Sequence, residues 1–200
     1  HDHVLRLIGI SCTAKPFFLV TEFVPKGNLK NCLRKQEIAT DSIDTLFDIC
    51  IQVTSALAYL ESQCFILHRD VAARNFLVAQ DMCVKLADFG RARTVSDDNY
   101  QADKNEKIAI KWASPEVLVH STYSTKSDVW ALGVTYWEIF SCGAQPFSSL
   151  AGEQVAIYVT EGGRLEKPPG CPPDLFNVMK SCWRDNPDER PSFAHLSEKL

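Results

Sequence analysis

His68-Arg69-Asp70-Val71-Ala72-Ala73-Arg74-Asn75 is followed, thirteen residues after the asparagine, by Asp88-Phe89-Gly90. The first string sets a carboxylate, two guanidinium groups and an amide close together, and the second adds another carboxylate beside a glycine. Between them lie two apolar stretches, residues 76–79 and 84–87, each too short to be more than one arm of a hairpin. Either tripeptide alone, His-Arg-Asp or Asp-Phe-Gly, is a weak sign. Both in this order and spacing are a strong one.

Working outward, residues 5–10 and 17–23 are rich in Phe, Ile, Leu and Val and predict two antiparallel strands around a polar turn. Pro25-Lys26-Gly27-Asn28 breaks the second strand and opens a short helix over 29–35. From Asp41 the pattern becomes helical. Leu46, Cys50, Val53, Leu57 and Leu60 share one face, with Asp41 or Ser42 as the N-cap. A further short strand falls at 65–67. Residues 88–107 are polar and aperiodic and predict a long loop, the kind that carries function or mobility. Helices follow at 114–120, 127–141, 151–160, 173–182 and 191–200. The second of these is apolar on nearly every side, the mark of a buried helix.

Of 200 residues, 46% are hydrophobic and 23% charged, an ordinary globular composition with room for one large core or two small ones. The net charge of −4 argues against nucleic acid as a partner. The eight cysteines form no C-x-x-C pair and none sits at zinc-ligand spacing from a histidine, so they read as reduced thiols acting as small hydrophobes. No run approaches the roughly 18 consecutive apolar residues of a membrane span, and no membrane contact is expected of this segment.

The two opening strings resemble the protein kinases, and Ala72-Ala73-Arg74 is similar to the tyrosine kinases of the non-Src pattern. The resemblance runs through essentially the whole chain. It implies an α+β, protein-kinase-like fold: a mainly helical large lobe (25–200) plus the last strands of the small lobe and the hinge (1–24). It also implies transfer of the γ-phosphate of ATP to protein tyrosine hydroxyls, with Mg²⁺, or Mn²⁺ in its stead. Such transfer needs one carboxylate to receive the acceptor proton and hard oxygens for the metal. Asp70 is the expected base, Asn75 and Asp88 the metal ligands, and Arg74 the cation for the γ-phosphate. His68 reads as a packed support rather than a base.

Other segments extend the resemblance. Lys111-Trp112-Ala113-Ser114-Pro115-Glu116 is similar to the shelf for a substrate tyrosine. Ile108-Ala109-Ile110-Lys111 mimics the motif of the ATP lysine, but that lysine belongs upstream of the loop, so Lys111 is read as shelf. Asp128, opening the buried helix, would accept backbone N–H groups of the 68–75 loop, and Glu116 would pair with Arg190. Tyr100 is the expected phosphorylation site, with Arg69 and Arg93 to hold the phosphate and the acidic Asp97-Asp98 before it as substrate context. In the nucleotide edge, Glu22 and Val24 would pair with adenine, Thr21 would guard the back of the pocket, Leu77 would form its floor and Asn28 would reach the ribose.

No Gly-rich loop precedes these segments, and the ATP lysine and its glutamate are missing. The chain is therefore expected to be part of a kinase domain, inactive or nearly so in isolation. A pseudokinase scaffold is the rival reading, opposed by the presence of Asp70, Asn75 and Asp88. A dual-specificity kinase is a third, drawn from Leu132, where the tyrosine kinases usually have phenylalanine. Ala109 and Arg91 depart from the family pattern as well, in place of proline and leucine. Residues 58–62 and 171–173 are similar to cytoplasmic kinases of the focal-adhesion type. The expected location is the cytosol, or the cytosolic side of the plasma membrane if the parent is a receptor.

Overall fold

The computed structural model describes residues 1–13, 15–94, 99–103 and 106–200. The chain opens with the predicted antiparallel hairpin, β1 (Leu7–Ser11) and β2 (Phe18–Thr21), with Ile10 opposite Leu19 and an irregularity between Leu7 and Gly9. Its side chains are mostly in water. The chain then buries Val24 and runs along a later strand, where the Lys26 N–H donates to the Val78 carbonyl and the Val78 N–H to the Gly27 carbonyl. Helix α1 (Leu29–Arg34) starts at Asn28, whose Oδ1 accepts the Asn31 N–H at 2.9 Å.

Ser42, rather than Asp41, caps α2 (Ile43–Tyr59), its hydroxyl accepting the Thr45 N–H. Leu46, Ile49, Cys50, Val53, Ala56 and Leu57 form its buried face. The helix then widens into a π turn, Leu60–Cys64, and ends where Phe65 adopts a left-handed conformation with φ 53°. By length and hydropathy, residues 43–64 reach the range of a membrane span, which a count of consecutive apolar residues does not reveal. The packed face of α2 accounts for that apolarity: it lies in the protein core.

Next come β3 (Ile66–Leu67), the 68–75 loop, and a hairpin of β4 (Phe76–Val78) and β5 (Val84–Leu86) in register Phe76 to Leu86. The 88–107 segment, expected to be a featureless loop, is more structured than that. It holds a 3₁₀ turn, Phe89–Arg91, then β6 (Arg93–Thr94) paired with β3, and β7 (Asn99–Gln101). After α3 (Pro115–His120), β8 (Thr122–Ser124) pairs antiparallel with β7. Strands β6, β7 and β8, two or three residues long, carry no readable period, and their partners lie about twenty or more residues away. Asp97 and Asp98 lie outside the described residues.

Helix α4 (Thr125–Phe140) is buried on all sides, as its apolar circumference predicts. It meets α6 (Pro173–Cys182) so closely that a Cβ on Gly133 would stand 2.7 Å from Trp183 Nε1 and 2.8 Å from Cys182 Cβ. Helices α5 (Gly152–Thr160) and α7 (Phe193–Lys199) complete the body. Cys32, Cys50, Cys171 and Cys182 are buried in it as free thiols, and burial pushes Cys182 up to about 12. A satellite core of Leu67, Ala102, Val117 and Tyr123 lies under the β7–β8 pair. The whole is the expected α+β fold, a helical body with four two-stranded sheets among the described residues in place of the single small sheet expected.

Candidate active site

The β4–β5 hairpin brings the two deciding strings together. With Phe76 opposite Leu86, the next residues outward, Asn75 and Ala87, also face each other, and the Ala87 N–H donates to the Asn75 carbonyl at 2.8 Å. The Ala87 carbonyl in turn accepts from His68 Nε2 at 3.0 Å. His68 is thus a buried support, as expected from the sequence. Burial holds its pKa below the ordinary histidine value, and the Phe89 ring packs edge-on against it.

Arg69 has φ +65°, a conformation that non-glycine residues adopt only when their surroundings impose it. Asp128 imposes it. Its two carboxylate oxygens accept the consecutive His68 and Arg69 N–H groups at 2.7 and 3.0 Å, the arrangement expected from the sequence. Burial pushes the Asp128 carboxyl up to about 6, against the pull of those two bonds. The loop is gripped a second time from α4: Glu138 Oε2 accepts both the Ala73 N–H and the Trp112 indole N–H at 2.9 Å. Desolvation raises the Glu138 pKa, and its other oxygen is buried without a partner.

Asp70 faces two guanidinium groups. It forms an ion pair with Arg74, four residues on, and Arg91 Nη1 stands 4.0 Å away. Arg74 also lies over the Trp112 ring, 4.4 Å from its centroid. The Asn75 amide Nδ2 donates to the Asp70 carbonyl at 2.6 Å, which turns the amide oxygen the other way. Asp88 is exposed, left-handed at φ 57°, and accepts the Gly90 N–H. The exposed Asp88 carboxylate and the Asn75 amide oxygen, which the Asp70 bond does not use, make a hard-oxygen donor set that fits Mg²⁺.

The nucleotide-edge residues separate into two groups. Thr21 and Asp88 line one apolar cavity of about 630 Å³, together with Leu5, Leu19, Leu60 and Phe89. Glu22, Val24, Asn28 and Leu77 do not line it: the first three lie on the segment from β2 to α1, and Leu77 in β4 faces Asn28. Glu22 ties Arg6, just ahead of β1, to Lys85 of β5, accepting the Arg6 N–H at 2.8 Å and pairing with Lys85 at 3.2 Å; the Arg6 bond is the main cause that lowers its pKa. The Asn28 oxygen is committed to capping α1, and its backbone bridges Leu77.

Away from the loop, Arg190 and Glu116 form the expected pair, two-pronged at 2.7 and 2.8 Å. Tyr100 is half-buried in β7, with the Arg69 guanidinium 4.4 Å and that of Arg93 5.8 Å from its ring centroid. Lys111 sits in a 3₁₀ turn with its Nζ on the Phe147 carbonyl, so the lysine-like motif is no strand.

Comparison with known proteins agrees with this geometry. The family model for protein tyrosine and serine/threonine kinases matches residues 1–200. The chain belongs to this kinase family. It is 45% identical to the tyrosine-protein kinase Btk of Drosophila melanogaster over 201 residues, all of this chain and 25% of that protein. It is 43% identical to human ABL2 (99% of this chain, 17% of the relative) and 40% identical to human BMX (100% and 29%). The kinase chain therefore spans about a quarter or less of the length of the first two relatives.

Three residues that hold this site together have no motif of their own in the sequence: Glu138, Trp112 as a platform for Arg74, and Glu106, which pairs with Arg69. A glutamate inside an otherwise apolar helix was the available signal for Glu138. Buried carboxylates persist where they answer donors, and here both donors come from distant segments.

Proposed function

We propose that this chain is the greater part of the catalytic domain of a protein-tyrosine kinase. Residues 1–24 would end its small lobe and form the hinge, and residues 25–200 its large lobe. The observation that carries the reading is the constellation Asp70, Arg74, Asn75 and Asp88, joined through Ala87 and held from below by two carboxylates of α4. Relatives described as tyrosine-protein kinases at 40–45% identity support it.

In this reading ATP lies along the strip of Glu22, Val24, Asn28 and Leu77, with Thr21 at the cavity behind. Asp70 takes the proton of the substrate phenol as its oxygen bonds to the γ-phosphorus and the bond to the departing ADP oxygen breaks. Arg74, in place of the lysine two residues after the base in serine/threonine kinases, offers a guanidinium to the transferring phosphate. Asn75 and Asp88 would hold Mg²⁺ or Mn²⁺, which neutralises phosphate charge. Tyr100 would be phosphorylated in turn and held by Arg69 and Arg93. The substrates would be proteins with accessible tyrosines, met in the cytosol or at the cytosolic side of the plasma membrane; BMX is itself described as cytoplasmic.

The test is phosphotransfer by the full-length protein to a tyrosine peptide and to its serine counterpart. Tyrosine transfer that falls at least about a hundredfold in Asp70→Asn is expected, the lower end of the range for a positioned base. Transfer to serine alone would overturn the reading.

A further inference from the structure

Arg69, like Arg190, is an arginine withdrawn from water: its side chain is only 2% exposed. Its guanidinium is sandwiched between the rings of Tyr100 and Tyr123, 4.4 and 4.3 Å from their centroids, and Nη1 donates to the Arg91 carbonyl at 3.1 Å. A cation so far from water needs a counter-charge. The structure supplies Glu106, whose carboxylate forms an ion pair and hydrogen bond with Arg69 Nη2. The same carboxylate lies 3.7 Å from Arg93 Nη2 and accepts the Tyr100 hydroxyl at 3.5 Å. One acidic side chain therefore meets both arginines and the tyrosine oxygen. The Arg69 hydrogen bond holds its carboxyl below the usual range, so it carries its charge at neutral pH.

A phosphate on the Tyr100 oxygen would enter this same space with close to two negative charges and would need the same two arginines. We propose that Glu106 is a built-in anion for the Arg69–Arg93 pair, standing where a phosphate on Tyr100 would stand. The proposal rests on the reading of Tyr100 given above. The unphosphorylated chain then holds β7 against β8 and keeps the Arg69 side chain of the 68–75 loop neutralised. Phosphorylation displaces the carboxylate instead of filling an empty site, so its ordering effect is small.

The test is hydrogen exchange on the full-length protein, dephosphorylated and Tyr100-phosphorylated, in wild type and Glu106→Gln. Dephosphorylated wild type should protect the amides of residues 99–101. Glu106→Gln should exchange them about tenfold faster or more, as expected for losing a hydrogen bond between charged groups. Phosphorylation of Tyr100 should restore protection in the variant and change wild type little. Activity should follow, with phosphorylation stimulating Glu106→Gln about tenfold more strongly than wild type. Equal exchange by the two dephosphorylated proteins overturns the proposal whatever the catalytic activity. Protection lost in the variant and not restored by phosphate also overturns it, leaving Glu106 a structural residue. The expected exchange pattern in a protein without tyrosine transfer would support the shared anion site and strike the functional reading alone.

Discussion

The 68–75 loop and the β1–β2 hairpin stand at opposite extremes of how firmly a segment can be held. The loop has little regular structure, yet α4 fixes it through Asp128 on two amides and Glu138 on a third. The hairpin has a regular ladder, yet Ile8, Ile10, Phe18 and Leu19 are all more than half exposed. It joins the body by a few bonds, among them the Leu5 N–H to the Leu86 carbonyl and the Glu22–Lys85 pair. Regular secondary structure and rigidity are thus different properties. Buried acceptors aimed at backbone donors give the second without the first, whereas a ladder with no buried face leaves its register weakly specified.

The comparison breaks most visibly at the base of the body. Arg190 has a fully buried side chain, pairs with Glu116, donates to the carbonyls of Arg184, Lys126 and Asp185, and lies 5.0 Å from the Trp130 ring centroid. Arg190→Ala strands a carboxylate and three carbonyls, and should cost about 3–5 kcal/mol in urea unfolding. A loss under about 1 kcal/mol would show that water replaces the pair, and the body would owe its firmness to apolar packing alone.

A smaller effect is expected at the α4–α6 contact. Gly133→Ala puts a methyl within 3 Å of Trp183 and Cys182 and should destabilise by about 1–3 kcal/mol. Thermal melting measures it. An unchanged midpoint would mean that the two helices part easily, contrary to a tightly held platform under the loop.

The His68 support should appear as a pH dependence. Its pKa is depressed below 6.5 by burial, so the unfolded chain takes up a proton near that pH which the folded chain refuses. The resulting stability is complete above pH 6.5 and is lost as the pH falls toward the folded value, by at most about 1.4 kcal/mol per pH unit. Asp128 has the opposite sign: with its carboxyl raised to about 6, it favours the folded state at low pH and loses that contribution as the pH rises through about 6. The decisive quantity is therefore the difference between wild type and His68→Gln, which should narrow as the pH falls below 6.5. A constant difference would mean that the imidazole titrates alike in both states.

At the hairpin the expected effect is smallest. Ile10→Thr, at a side chain 59% exposed, should stay within about 0.5 kcal/mol of wild type. A loss above about 1 kcal/mol in the full-length protein would show this face covered by further sequence, sharpening the contrast into one between two kinds of burial.

Much of this was legible from residue order. The spacing of Leu46, Cys50, Val53 and Leu57 marked the buried face of α2, and a helix apolar all round marked α4 as central. Asp128 and the Glu116–Arg190 pair came from the family resemblance and met their partners where expected. What stayed hidden has a common cause. The pairings of β3 with β6 and of β7 with β8, the double grip of Glu138, and Glu106 between two arginines all depend on contacts between distant segments. No local period announces them. Asn28, singled out for a ligand, also has a local task, since its side-chain oxygen caps α1 through the Asn31 N–H.

The π turn at Leu60–Cys64 acts as an expansion joint. An i→i+5 turn takes up more chain than an α turn at about the same position on the axis, and here it closes with the Phe65 N–H on the Leu60 carbonyl. The slack lies between the end of α2 and the start of β3, upstream of His68 and outside the grip of Asp128. Deleting Ser62, exposed within the turn, should narrow the helix end and leave the Asp128 bonds to the loop, and with them the register of Asp70, in place. A loss of phosphotransfer in that deletion would show that the slack is not there.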